Sequence, residues 1–185
     1  EGLQGLFTAL SRKLKLKRIQ RLAIDGTSGS VLLCDRQGRV LTPALMYNDA
    51  SSQSAVDIIR RHCPDPQHVT LSAGSGLAKA IQLGQSLDER DFIILNQADF
   101  LSNHLAGAWA VSDYHNALKL GYDVEHLRWP EWVERCVAAG ALPRVLSPGQ
   151  VFASVEPQMA QRYGLAADCQ ICAGTTDANA AFIAT

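Results

Sequence analysis

Short β-rich apolar runs alternate with longer stretches of helical periodicity along most of this chain, and that alternation leaves few architectures open. The runs IQRLAID, VLLCD and RVLTPALMY read as three strands, with RQGR as a hairpin turn between the last two. Leu3, Leu6, Phe7, Leu10 and Leu14 recur at helical spacing, so an amphipathic helix precedes them. Further helical patterns span about 51–63, 76–87 and 98–105, with Gly107 ending the third, and FIIL is a short strand between the last two. Pro130 should open the helix PEWVERCVAA from its first turn. Pro143, Pro148 and Gly149 mark a loop, VFASV a strand, and PQMAQRYG a helix closed by Gly164. CQICAG and a final alanine-rich helix complete an α/β alternation. No internal repeat, low-complexity run or linker interrupts it, so residues 1–185 are expected to form one compact unit.

Composition narrows the function classes. The 185 residues carry a net charge of −1 and are 47% hydrophobic, as in an ordinary globular protein. The six Lys and Arg of SRKLKLKRIQR are a solvated turn, because no aromatic residues interleave with them and no other basic excess exists. Nucleic-acid binding is therefore not expected. No apolar run approaches the roughly 20 residues that cross a bilayer. The chain starts at Glu1 with no signal-peptide pattern, and the five scattered cysteines read as reduced cytosolic thiols. Cys169 and Cys172 form a C-x-x-C, but on a strand two residues three apart face opposite ways. No second pair accompanies them, and the five histidines lack metal spacing, with His62 and His68 expected at the surface. No metal site is predicted.

Five stretches could carry chemistry. AIDGTSGSVLL sets Asp25, Gly26, Thr27, Ser28, Gly29 and Ser30 between apolar strand segments. Its small hydroxyl residues allow a polar ligand to approach the backbone, or make a hairpin turn that begins with a potentially buried carboxylate. AGSGLAKA fails the phosphate-loop pattern, since Ala80 follows Lys79, although Lys79 could still point into a site. LMYNDAS and VSDYHNALKLGYD supply Asp49, Asp113, Asn116 and Lys119, which suit either a cleft or turns and caps. In ICAGTTDANAAFIAT, Asp177 follows a strand and opens a helix. Spacing leaves it as an N-cap or as a general base at a helix N-terminus. A hydrolase reading with Ser28 as nucleophile lacks the G-x-S-x-G elbow.

Seven segments, in order, resemble the FGGY carbohydrate kinases, and within them the xylulokinase-like, D-ribulokinase branch. They are AIDGTSGSVLL, ALMYNDA, SGLAK, QADFL, SDYHNALKLGYD, LPRVLSPG and AGTTDANAAFIA, covering nearly everything from residue 19 onward. The resemblance implies an actin-like, ribonuclease-H-like α/β domain, incomplete here because the first β-hairpin and a second domain are missing. It implies phosphorylation of a sugar hydroxyl from Mg-ATP, most often on a ketopentose such as D-ribulose or D-xylulose, in the cytoplasm. Asp177 matches the family's catalytic aspartate in its G-x-x-D motif. Ser28, Thr27 and Asp25 match a sugar-pocket loop, and Asp49 matches the aspartate of a W-N-D-type motif. The ATP phosphate loop has no counterpart, so the 185 residues are expected to be inactive alone. Ser51 and Asn96 depart from the family's usual Arg and His. The rival expectation is a non-catalytic sugar-binding or regulatory relative.

Overall fold

The computed structural model describes residues 2–88 and 91–185; Glu1, Glu89 and Arg90 lie outside the described residues. In chain order the elements are helix α1 (Gly2–Ser11), strands β1 (Arg21–Leu22), β2 (Asp25–Gly26) and β3 (Val31–Cys34), then helices α2 (Gln53–His62) and α3 (Gly76–Gln85). Strand β4 (Ile93–Asn96), helix α4 (Gln97–Ala106), strand β5 (Val111–Asp113) and the one-turn helices α5 (Tyr114–Ala117) and α6 (Glu131–Glu134) follow. Strands β6 (Arg144–Leu146) and β7 (Val151–Ser154), helix α7 (Pro157–Tyr163), strands β8 (Gln170–Cys172) and β9 (Thr175–Thr176) and helix α8 (Asp177–Ile183) complete the chain. No helix among the described residues is long and apolar enough to cross a membrane.

Strand pairing explains why β3 and β4 read as unbroken apolar runs. They pair antiparallel, Val31 opposite Asn96 and Cys34 opposite Ile93, and every residue of both is buried. Alternate side chains leave opposite faces of a strand. Val31, Leu33 and Ile94 accordingly enter a core with Leu83, Phe92 and Leu120, whereas Leu32, Cys34, Ile93 and Leu95 pack beside Phe100 and Trp109. Fully burying one such aliphatic side chain stabilises the fold by about 1.5–3 kcal/mol. Burial also pushes the Cys34 thiol up to about 11, with help from the Asp35 charge. A third core joins α2 to α3 through Val56, Ile59, Leu77 and Ile81.

The opening helix meets the far end of the chain. Phe7 stacks on Tyr163 of α7 with ring centroids 4.5 Å apart, and both join Leu105, Val155 and Ile171 in one core. Leu6 and Leu14, expected on that apolar face, are more than half exposed, and Leu14 lies beyond the helix. The basic segment that follows is exposed apart from buried Leu16 and half-buried Ile19, and all six of its Lys and Arg face solvent, as expected.

Two nearly continuous parallel strands run side by side. β1 pairs with β8, Leu22 opposite Ile171, and β2 pairs with β9, Asp25 opposite Thr175. Three steps separate Leu22 from Asp25 but four separate Ile171 from Thr175, so the second strand bulges by one residue. The bulge falls at Gly174, where a Cβ would stand 2.0 Å from the Ile24 carbonyl oxygen. Only glycine fits.

Some expectations are corrected. RVLTPALMY is not a third strand: it touches β3 through isolated bridges at Val40 and Leu45. Between them Pro43 lacks an N–H, and the Thr42 hydroxyl replaces a main-chain acceptor for Leu33 N at 3.1 Å. The helix after Pro130 makes a single turn, closed by a short-range bond from Cys136 N to Val133 O. The loop between Pro143 and Pro148 contains β6, which pairs parallel with β5, a strand that the sequence reading did not separate from its neighbours. His68 is half-buried, its ring edge-on to Trp132 at 5.0 Å.

Candidate functional site

Polar residues gather at the carboxyl ends of the paired strands β2 and β9, where α/β sheets commonly open a ligand crevice. The β2–β9 register places Thr27 just beyond Gly26 and Asp177 just beyond its partner Thr176. The loop Thr27–Ser30 and the start of α8 therefore leave neighbouring strands side by side.

The loop is held internally. Gln97, the first residue of α4, accepts from Thr27 N at 3.0 Å and from the Thr27 hydroxyl at 2.8 Å through Oε1. The Thr27 and Ser30 hydroxyls lie 2.8 Å apart, and Ser30 Oγ accepts from Tyr47 N at 3.0 Å. Gly29 takes a positive φ of 76°, which a side chain would resist. Ser28 makes none of these bonds. It lines a cavity of about 240 Å³ with Gly29, Ser72, Gly74, Ser75 and Lys119. Serines, glycine backbone and Lys119, with Val69 beside them, give a lining with polar groups suited to a polyhydroxylated molecule. Asp25, Thr27, Asp49 and Asp177 do not line this cavity. Asp25, read as potentially buried, is exposed on its two-residue strand.

Asp49 stands on the neighbouring loop. Its Oδ1 accepts from Ser51 N at 2.8 Å and from the Ser51 hydroxyl at 2.6 Å, and the side-chain bond to Ser51 leads in holding its carboxyl below the usual range. A Cβ on Gly74 would sit 3.6 Å from the Asp49 carbonyl oxygen, so this loop closes on the edge of the Ser28 cavity. Ser51 therefore orients Asp49. Asn96, the other departure from the family pattern, is fully buried in a capping box with Asp99.

At α8, the sequence left Asp177 between cap and base. The cap is Thr176, whose Oγ1 accepts from Asn179 N. Asp177 is the first helical residue, exposed, with Oδ1 accepting from Ala178 N at 2.8 Å. A carboxylate in that first turn also complements the helix dipole. His115 joins from α5: its Nδ1 lies 2.8 Å from the Thr175 hydroxyl, and Thr175 pairs with Asp25.

Beneath these loops lies a buried acidic pair. Asp99 Oδ2 accepts from Asn96 N, Asn96 Nδ2 and the Ser112 hydroxyl at 2.9–3.0 Å. Burial and then the Asp113 charge raise its carboxyl to about 7. Asp113 caps α5, accepting from His115 N and Asn116 N, and burial raises it too.

Gln97, His115 and Thr176 were not singled out from sequence. Gln97 and Thr176 each sit where a strand passes into a helix, the positional signal that had singled out Asp177.

No family profile matches the chain. Its fold is that of carbohydrate kinases. A carbohydrate kinase from Novosphingobium aromaticivorans superposes with a TM-score of 0.79 at 20% identity, over 99% of this chain and 40% of that one. Xylulose kinase from Lactobacillus acidophilus, solved with bound ligand, gives 0.80 at 16% identity over 98% and 39%. Plasmodium falciparum glycerol kinase, solved with ADP, gives 0.80 at 20% identity over the same shares. At these identities the likeness is one of fold, and the chain spans about 40% of the length of these three structures.

Proposed function

We propose that the full-length protein carrying these residues transfers phosphate from Mg-ATP to a hydroxyl of a ketopentose such as D-ribulose or D-xylulose, as an FGGY-type carbohydrate kinase. One observation carries this reading: parallel pairing of Asp25–Gly26 with Thr175–Thr176 sets the hydroxyl-rich loop and an exposed, uncapped carboxylate at the same end of adjacent strands. The fold likeness to carbohydrate kinases supports it. So does the serine- and glycine-lined cavity beside Ser28.

In this reading Asp177 is the general base. It accepts the proton of the attacking sugar hydroxyl and keeps that oxygen aligned, a contribution of about 10²–10⁴-fold. Phosphoryl transfer asks the protein for little else but positioning and charge stabilisation. Ser28 and Lys119 bind sugar hydroxyls in the cavity, with Thr27, Asp25 and Asp49 at its margins. Among the described residues no group of three His, Cys, Asp or Glu side chains could hold a metal ion. Mg-ATP is given no residue of this chain, and no step runs through it.

A panel of ketopentoses, aldopentoses and polyols, supplied with Mg-ATP and the full-length protein, tests the reading by mass spectrometry of the sugar product. A monophosphorylated ketopentose is expected. Binding of a ketopentose with no product from any sugar would replace the kinase with a sugar-binding relative, and neither binding nor product would overturn the reading.

A further inference from the structure

Lys79 is the fourth residue of α3, and its side chain is fully buried at 0% exposure. Burying an ammonium ion costs several kcal/mol unless its N–H groups find acceptors. Lys79 Nζ meets three carbonyl oxygens, those of Gly29 at 2.8 Å, Met46 at 2.7 Å and Tyr47 at 3.3 Å. An ammonium has three N–H groups, and each has a partner here.

These acceptors belong to two loops that leave the Val31–Leu45 bridge side by side. One carries Ser28, and the other runs into Asp49. The bonds go to main-chain oxygens, so they fix the path of both loops whatever side chains those loops carry. The Ser30–Tyr47 bond ties the same loops a second time. The Asp49 charge favours the ammonium form of Lys79, whereas burial, the larger influence, opposes it. An apolar side chain would fill the same core without that cost. What a lysine adds is the lock on the loops.

We propose that Lys79 is a positioning residue of the sugar site: its buried ammonium joins the Gly29 and Met46–Tyr47 main chains from beneath and so sets the separation of Ser28 from Asp49. The catalytic consequence rests on the sugar-kinase reading above; the lock itself rests on the three hydrogen bonds.

The test uses the full-length protein with Lys79→Met, which keeps the apolar stem and removes the donors, and Lys79→Arg, which keeps charge and donors. Steady-state kinetics with the accepted sugar are read beside amide hydrogen exchange over 27–30, 46–51 and the β3–β4 core. In Lys79→Met, KM for the sugar should rise about tenfold or more, about 1.4 kcal/mol of binding, with kcat little changed. Exchange should quicken in both loops and stay slow in β3 and β4. Lys79→Arg should recover part of the KM.

Unchanged loop exchange, or faster loops with an unchanged KM, would overturn the proposal. So would a matched loss of protection in loops and core, which marks a merely structural lysine. If Lys79→Met does not fold, Lys79→Gln is read against the same outcomes. If the parent protein phosphorylates no sugar, the kinase reading fails, and the exchange comparison still decides whether the lock exists.

Discussion

The Thr176 hydroxyl accepts the Asn179 backbone N–H at 3.4 Å and the Asn179 side-chain amide at 2.9 Å, while Asp177, one residue later, carries an exposed carboxylate outside that cap. The cap thus falls to Thr176, and the exposed carboxylate beside it is the one proposed as the general base. Thr176→Ala should cost about 1 kcal/mol, the usual loss on removing an N-cap. Asp177→Asn should shift stability by less than about 0.5 kcal/mol, as an exposed substitution away from the cap does. Urea denaturation of the two variants checks the division, and a larger loss for Asp177→Asn would contradict it.

Gly174→Ala is expected to destabilise strongly. The added methyl would meet the Ile24 carbonyl oxygen at 2.0 Å, a backbone atom that cannot swing aside. Overpacking of this kind costs about 1–3 kcal/mol and occasionally more. Because the clash lies between the two paired parallel runs, thermal unfolding should register it directly. An unchanged Tm would mean that the bulge is not populated as described.

Ser30→Ala tests the second tie between the loops. Ser30 is buried, and its Oγ serves both Tyr47 N and the Thr27 hydroxyl. Losing that acceptor should cost about 1–3 kcal/mol. Exchange at the Tyr47 amide should accelerate, and an unaltered Tyr47 amide would contradict the bond.

Asp99 gives the fold a pH dependence of definite sign. Its carboxyl is raised to about 7 by burial and then by Asp113, against about 4 for an unfolded carboxyl. Between those values the folded chain keeps a proton that the unfolded chain has released. Stability should therefore decline as pH rises from about 4 to 7, by at most about 1.4 kcal/mol per unit for one group, and level off above. Burial raises Asp113 as well and adds in the same direction. Denaturant unfolding at several pH values should show the slope, and Asp99→Asn should flatten it. A slope unaltered by that substitution would remove Asp99 as its source.

The α/β alternation was legible because β3 and β4 are buried on both faces and helices α1 to α4 carry helical periodicity. The sequence also marked Ser28 and Asp177, through a glycine-hydroxyl loop and a strand-to-helix junction. What escaped depends on tertiary partners. RVLTPALMY has strand composition, yet Pro43 and Thr42 break its ladder in a way visible only against Leu33. The cap at Thr176 and the exposed carboxylate of Asp177 differ by one residue, which periodicity does not resolve. Lys79 was read as a side chain that could point into a site, and only the carbonyls of Gly29, Met46 and Tyr47 around it show it buried beneath the loops instead.

The most direct measurement is sugar-dependent ADP release by the full-length protein and its Asp177→Asn variant, on the ketopentose that turns over fastest. A general base predicts a fall in kcat of about 10²-fold or more with folding intact. Turnover that survives the substitution would return Asp177 to a residue of helix α8 and remove the catalytic base from this account.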